Sequence, residues 1–437
     1  MKTGSQLRVF LWASGVVLLA GTSSSAGAAT LCVNPGGTGG CSATIGAAVA
    51  AANPGDTIQV GPGKYFEDVL IGKSLSLIGA DRSNIIIDAT GKANGVYIDG
   101  RDNPGLRQVV VAGFTIQNAK FEGILVTNAS SVTISDNRVV SNDLALNPSP
   151  PPTCPGQPSF ETNEDFDCGE GIHLSGVDHS IVANNLMENN SGGILLSDDT
   201  GATHDNLITG NIARNNPFDC GITLASHQLE TGSTLPRGVF HNTIAENRSS
   251  RNGLAVEGAG AGVGIFVAGN GLETSGNVVV GNRLTGNGLP GVAFHLHTAN
   301  TGQNVNDNVI IGNYIAGNGA DTEDAATPGP TGINVFGVAP ITGTVIADNV
   351  IKDEQVDVAV NTVSPAVVDA HLNNLLGKQI GVDNLGTGAV DATENWWGCA
   401  KGPGSAGCTS VSGSNIVSTP FLTRPSERAE EQRRPSD

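Results

Sequence analysis

The stretch Asn277-Val278-Val279-Val280-Gly281-Asn282-Arg283-Leu284-Thr285-Gly286-Asn287 alternates short apolar runs with an asparagine at every fifth residue. The same spacing returns at Asn206, Asn211 and Asn216, at Asn242, Asn247 and Asn252, and at Asn308, Asn313 and Asn318. A second unit precedes several of these triplets: Gly, then Ile or Val, any residue, then Leu, Val or Phe. It begins at Gly123, Gly171, Gly193, Gly221, Gly264, Gly291 and Gly332. A repeat of roughly 22 to 28 residues, built of short strands and polar corners, describes one coil of a solenoid whose coils bond to their neighbours. Glycine at 60 of 437 residues and aromatics at 4% would suggest low complexity, were the apolar residues not so regularly placed. The asparagines at equivalent corners are expected to stack into ladders whose amides bond from coil to coil. The fold class is therefore all-β, a single-stranded parallel β-helix.

Working outward from the repeats, Thr44 to Ala52 is Ala-rich and predicts a helix, followed by the turn Asn53-Pro54-Gly55-Asp56 and the strand Thr57-Ile58-Gln59-Val60. Such a helix would cap the first coil, whose open parallel edge otherwise invites aggregation. Lys2 and Arg8, the apolar run Val9 to Ala20 and the small residues Ala26-Gly27-Ala28 read as a secretory signal peptide, with the mature chain starting near Ala29. Division of the chain follows: 1–28 signal peptide, 29–56 N-terminal cap, 57–398 β-helix, 399–423 C-terminal cap, 424–437 a charged, disordered tail.

Lys and Arg number 22 against 41 Asp and Glu, a formal charge of -19 that becomes -21 once Lys2 and Arg8 leave with the signal (20 minus 41). This charge disfavours nucleic acid and anionic lipid, and no segment is read as inserting into a membrane. A neutral sugar, a cation or a protein is the easier partner. An acidic polysaccharide would need bridging Ca²⁺. Seven cysteines in an exported chain suggest disulfides, and spacing favours Cys32 with Cys41 and Cys399 with Cys408. Of Cys154, Cys168 and Cys220, two can pair, leaving the third buried or free.

The run Pro54-Gly55-Asp56-Thr57-Ile58-Gln59-Val60, with Gly61-Pro62-Gly63-Lys64-Tyr65 and Lys73-Ser74-Leu75-Ser76-Leu77-Ile78-Gly79, resembles the entry coils of pectin lyase-like right-handed parallel β-helix proteins. Asn395-Trp396-Trp397-Gly398, Gly402-Pro403 and Pro420-Phe421-Leu422 resemble the closing segment of the NosD-like β-helix group. The resemblance implies a right-handed solenoid and action on polysaccharides as a lyase, hydrolase or epimerase. Family motifs for those chemistries are mostly missing. Of the polygalacturonase set, only an Asp pair occurs, Asp198-Asp199, and Ala202-Thr203-His204-Asp205 matches the last two positions of the alginate-epimerase Asp-Pro-His-Asp.

Side chains alternate across a strand, so with Ile and Leu pointing inward the polar outliers of successive coils fall into outward columns. One column holds Asp199, His227, Asn270 and His297, and its neighbour holds His295. Coils about 4.8 Å apart would bring Asp199 within reach of His227. That predicts a catalytic pair, Asp199 orienting His227 as a general acid or base, with Asp198, His204, His295 and His297 binding substrate or a metal. Insertions at Leu144 to Glu170, Gly253 to Gly262 and Gly319 to Thr331 enter at one place in the coil and are expected to wall this face. A second candidate is the loop Asp321, Glu323 and Asp324, whose oxygens suit Ca²⁺. The expected function is polysaccharide binding or modification on the walled face. The competing reading is a non-enzymatic exported scaffold that binds a metal or nothing at these columns.

Overall fold

The computed structural model describes residues 27–161, 166–227, 234–256, 259–300, 302–322 and 325–431. Residues 1–26, which hold most of the expected signal peptide, lie outside the described residues. Three long sheets of 14, 11 and 12 strands run along the molecule, here called sheets I, II and III. All strand pairings within them are parallel, between strands of successive coils. One coil shows the plan. Val278–Val280 joins sheet I, Arg283–Thr285 joins sheet II and Val292–Leu296 joins sheet III. The asparagine-bounded stretch thus supplies two of the three sides, and its asparagines are the corners.

Alternation decides what is inside. Val279, Leu284, Val292 and Phe294 are fully buried and belong to one continuous apolar core that runs the length of the solenoid. Each coil buries its own apolar residues against those of the next, because β-branched and Leu side chains stack well along a parallel sheet.

The corner asparagines form the expected ladders. Asn247 Nδ2 donates to Asn282 Oδ1 at 3.0 Å, Asn282 to Asn313 at 3.0 Å and Asn313 to Asn349 at 3.0 Å. Each carboxamide oxygen also accepts the backbone N–H of the preceding rung, so the corners lose none of the hydrogen bonds a tight turn would forfeit. A parallel ladder runs through Asn252, Asn287 and Asn318 and ends on Glu354, whose carboxylate takes the place of the next amide.

One register differs from the sequence reading. Gly264 pairs with Thr223 and Ala293, so the residue equivalent to Gly221 and Gly291 is Gly262. A Cβ at Gly262 would sit 2.5 Å from the carbonyl oxygen of Gly291, and this closeness of the adjacent coil demands glycine at that place. The shift of two residues preserves facing but moves Asn270 out of the Asp199 and His227 column, and Ala268 takes its position.

At the N-terminal end, the helix Ile45–Ala51 packs Ile45, Ala48 and Val49 onto the core. Thr44 accepts the Ala47 N–H, while the Glu67 carboxylate takes the N–H groups of Ile45 and Gly46 at 2.8 Å each, satisfying donors that a helix start leaves open. The segments read as caps also carry strands: Thr30–Val33 opens sheet I, and Ser410–Gly413 and Ile416–Val417 extend sheets III and I. Trp397 is completely buried in the core. The tail expected to be disordered begins with structure. Ser426 N donates to Asn374 Oδ1 at 2.8 Å, Glu427–Glu431 is a short helix, and Ala429 is buried. Residues 432–437 lie outside the described ones. Among the described residues, no helix is long and apolar enough to cross a membrane.

Candidate functional site

The disulfides set the frame. Cys32 bonds to Cys41 and Cys399 to Cys408, as the spacing suggested, and Cys154 bonds to Cys168 while Cys220 stays buried as a free thiol. The Cys154–Cys168 bond closes the first insertion over the outer face of sheet III. Residues from all three insertions line one cleft of about 710 Å³ on that face, among them Pro152 and Phe166, Val256 and Gly260, and Thr322. Its sides are aromatic: Phe166 stacks on Phe218 with centroids 6.0 Å apart, and Phe266 meets His295 edge-on at 4.8 Å. A second cleft of about 390 Å³ lies against Arg101, Phe160, Asp199 and Leu235.

Between the clefts stands His227. Its Nδ1 is 3.1 Å from Asp199 Oδ1 and its Nε2 is 3.1 Å from Asp167 Oδ2. Asp199 borders the smaller cleft and Asp167 the larger, so the imidazole bridges two carboxylates that face different spaces. The expected pairing of Asp199 with His227 is thus present in the geometry. Both residues are buried, not solvated on turns. From Asp199 the network continues inward: the Ser197 hydroxyl donates to Asp199 Oδ2 at 2.6 Å, and Ser197 Oγ lies 2.8 Å from His173 Nε2. Desolvation works to raise the Asp199 carboxyl, yet His227, His173 and Ser197 together hold it below the ordinary carboxylate range.

Several residues of this site were not foreseen. Glu122 and Glu161 are buried carboxyls beside His173, and Asp167, the buried Glu170 and Asp219 form a second close trio. Burial pushes Glu122 up to about 7 and Glu161 and Glu170 well above the usual range, while it pushes His173 down to about 4. A signal existed for some of them. His173 occupies an outward strand position, and Glu122 and Glu170 each directly precede the glycine that opens a coil. Glu161 and Asp167 come from the insertion, where no repeat supplies a register.

Asp198, expected to bind substrate, is enclosed instead. Its carboxylate accepts the backbone N–H of His227 at 2.7 Å, the Ser226 hydroxyl at 2.8 Å and the Gly238 N–H at 2.8 Å, so it fixes the backbone that carries His227. His204, also expected at the substrate, sits on the short strand Thr203–His204 with its Nδ1 2.8 Å from Asp205 and its ring stacked on Phe240 at 4.9 Å. This places it in a separate surface group with His179, because that strand belongs to a two-stranded sheet apart from sheet III.

His295 and His297 line the larger cleft, with His295 Nδ1 3.1 Å from His297 Nε2. Burial, and secondarily His297, pushes His295 down to about 3. Asp321 does not open outward as a Ca²⁺ loop would require. It is fully buried, 3.1 Å from His295 Nε2, and accepts Asn334 Nδ2 at 3.2 Å. Its expected co-ligands, Glu323 and Asp324, lie outside the described residues.

A family model described as right handed beta helix region matches residues 80–261. No curated protein matches the chain. Among solved structures, a lid-free DFA-IIIase from Arthrobacter chlorophenolicus A6 is similar, with TM-score 0.53 and 14% identity over 87% of this chain and 96% of that one. The same lid-free enzyme in complex with GF2 gives TM-score 0.52 at 14% identity, covering 90% of this chain and 99% of that one. An alginate lyase from Paenibacillus sp. str. FPU-7 is 10% identical over 89% of this chain and 99% of that one, with TM-score 0.44. With the sheet topology, these findings give the chain the fold of a right-handed parallel β-helix.

Proposed function

We propose that this is an exported protein that binds a polysaccharide on the insertion-walled face of sheet III and modifies it by proton transfer at His227. The observation that carries the proposal is His227 held between Asp199 and Asp167, with a cleft on each side. When the ring carries two protons, both N–H groups have a carboxylate acceptor, so the site holds a proton within reach of either cleft. Asp199 orients the ring, and Asp167 stands where the proton would leave toward the larger cleft. Lyase, hydrolase and epimerase chemistry each need such a transfer to or from a sugar. Aromatic walls with a few converging polar groups suit a sugar ring, which has apolar faces and a hydroxyl rim. The dense carboxylates favour a neutral glycan over a polyuronate. Three disulfides and the signal-like N-terminus support an oxidising compartment, periplasmic or extracellular.

The test is a polysaccharide-binding and digestion screen of the mature chain beside His227→Ala and Asp199→Asn. Turnover is expected to fall roughly 10²- to 10⁴-fold in both variants, with glycan binding largely kept. Absence of binding and turnover on every glycan would favour the non-enzymatic scaffold instead.

A further inference from the structure

We propose that Glu122, Glu161 and His173 Nδ1 form a binding site for one first-row divalent transition ion, of the Mn²⁺ or Zn²⁺ kind. The three ligand atoms lie within 4.8 Å of one another, and all three residues are more than nine-tenths buried. This inference is independent of the glycan reading.

Hydrogen bonding orients the imidazole. Ser197 donates its hydroxyl proton to Asp199, so it can only accept from His173, which places the ring proton on Nε2. The Nδ1 lone pair then points toward carboxylate oxygen, with Glu122 Oε1 at 4.0 Å. That separation is too long for a hydrogen bond, yet it fits two ligands of one ion whose bonds are about 2.1 Å. Among the described residues, His173 Nδ1, Glu122 Oε2 and both oxygens of Glu161 have no hydrogen-bond partner. A cation satisfies all of these atoms at once, and it offsets the cost of burying like charges together.

The donor set chooses the ion. Two carboxylates and an imidazole suit borderline ions, whereas Ca²⁺ prefers an all-oxygen shell. The chain from His173 through Ser197 to Asp199 is the kind of outer-shell support that fixes a ligating histidine's tautomer. The site would also tie the first insertion, through Glu161, to the coils that carry Glu122 and His173.

The experiment strips the full mature chain with EDTA and desalts it. Uptake of Mn²⁺, Zn²⁺ and Ca²⁺ is then measured by elemental analysis and calorimetry in the absence of any glycan, with the free Mn²⁺ spin-resonance signal as a second readout. Expected is saturable uptake of about one Mn²⁺ or Zn²⁺ per chain, with a higher melting temperature, and affinity lowered roughly tenfold or more in Glu161→Gln and in His173→Gln. Glu161 lies in the insertion and outside the stacked strands, so its variant keeps the test valid if the His173 variant fails to fold. No saturable uptake, preference for Ca²⁺, or unchanged affinity in Glu161→Gln would overturn the proposal.

Discussion

Asn282→Ala is expected to destabilise the protein by an amount on the order of 3–5 kcal/mol, read as a lower urea midpoint at unchanged slope. Asn282 Nδ2 donates to Ile244 O at 2.8 Å and to Asn313 Oδ1 at 3.0 Å, and its Oδ1 accepts Asn247 N at 2.8 Å and Asn247 Nδ2 at 3.0 Å. Alanine removes all four bonds. Buried groups of the two adjoining coils then lack partners in a space already closed by the stack, and each such group costs about 1–3 kcal/mol. Because the ladder runs on to Asn395, the loss falls inside the solenoid and not at a frayed end. A loss below about 1 kcal/mol would mean that the ladder contributes little beyond the apolar stacks.

The asparagine period was readable because each ladder takes one amide from each coil at a fixed corner, so the structural demand is itself periodic. The pairing of Asp199 with His227 was readable for the same reason: both stand six residues after the glycine that opens a coil. Where two registers satisfy one pattern, the sequence alone cannot separate them. Gly264-Ile265-Phe266-Val267 keeps the same inward alternation as Gly262-Val263-Gly264-Ile265, which ends on Ile where the other copies carry Leu, Val or Phe, and the approach of the Gly291 carbonyl selects Gly262. Facing was legible, yet burial was not. His173 and His227 do point away from the core, but the insertions cover them, and an insertion carries no repeat from which its contacts follow. Glu161 and Asp167 reach the site only because the Cys154–Cys168 bond and the fold of that insertion bring them there. For Asp198, the sequence shows an acidic neighbour of Asp199, and only coordinates show that its acceptor capacity is filled by backbone N–H groups.

With EDTA present to hold metal out, the melting temperature is expected to fall as pH rises from about 4.5 to 7, and Glu354→Gln is expected to remove part of that fall. Burial pushes the Glu354 carboxyl up from 4.5 to about 7, against the pull of the Asn318 donors, and it pushes Asp357 well above its usual range. The sign follows from proton binding. Below pH 4.5 the folded and unfolded forms both hold the Glu354 proton, and its contribution is at its most favourable. Between there and about 7 the unfolded chain ionises while the folded chain retains the proton, so stability declines by roughly 3 kcal/mol at most for a shift of this size. Asp88 acts in the opposite sense at lower pH. Burial works to raise it, but Lys64, Thr90, Asn118 and Gln117 hold it below its ordinary 3.8, so protonating it costs stability only in stronger acid. Glutamine at position 354 keeps an acceptor for Asn318 N and Nδ2 and carries no charge to bury, so the variant should melt higher than the parent at pH 8 and match it near pH 4.5. A variant that melts no higher than the parent at pH 8 would show that Glu354 ends its ladder as a well-solvated anion. The neutral end is the stronger inference, because each rung above Glu354 is a neutral amide and the position is fully enclosed.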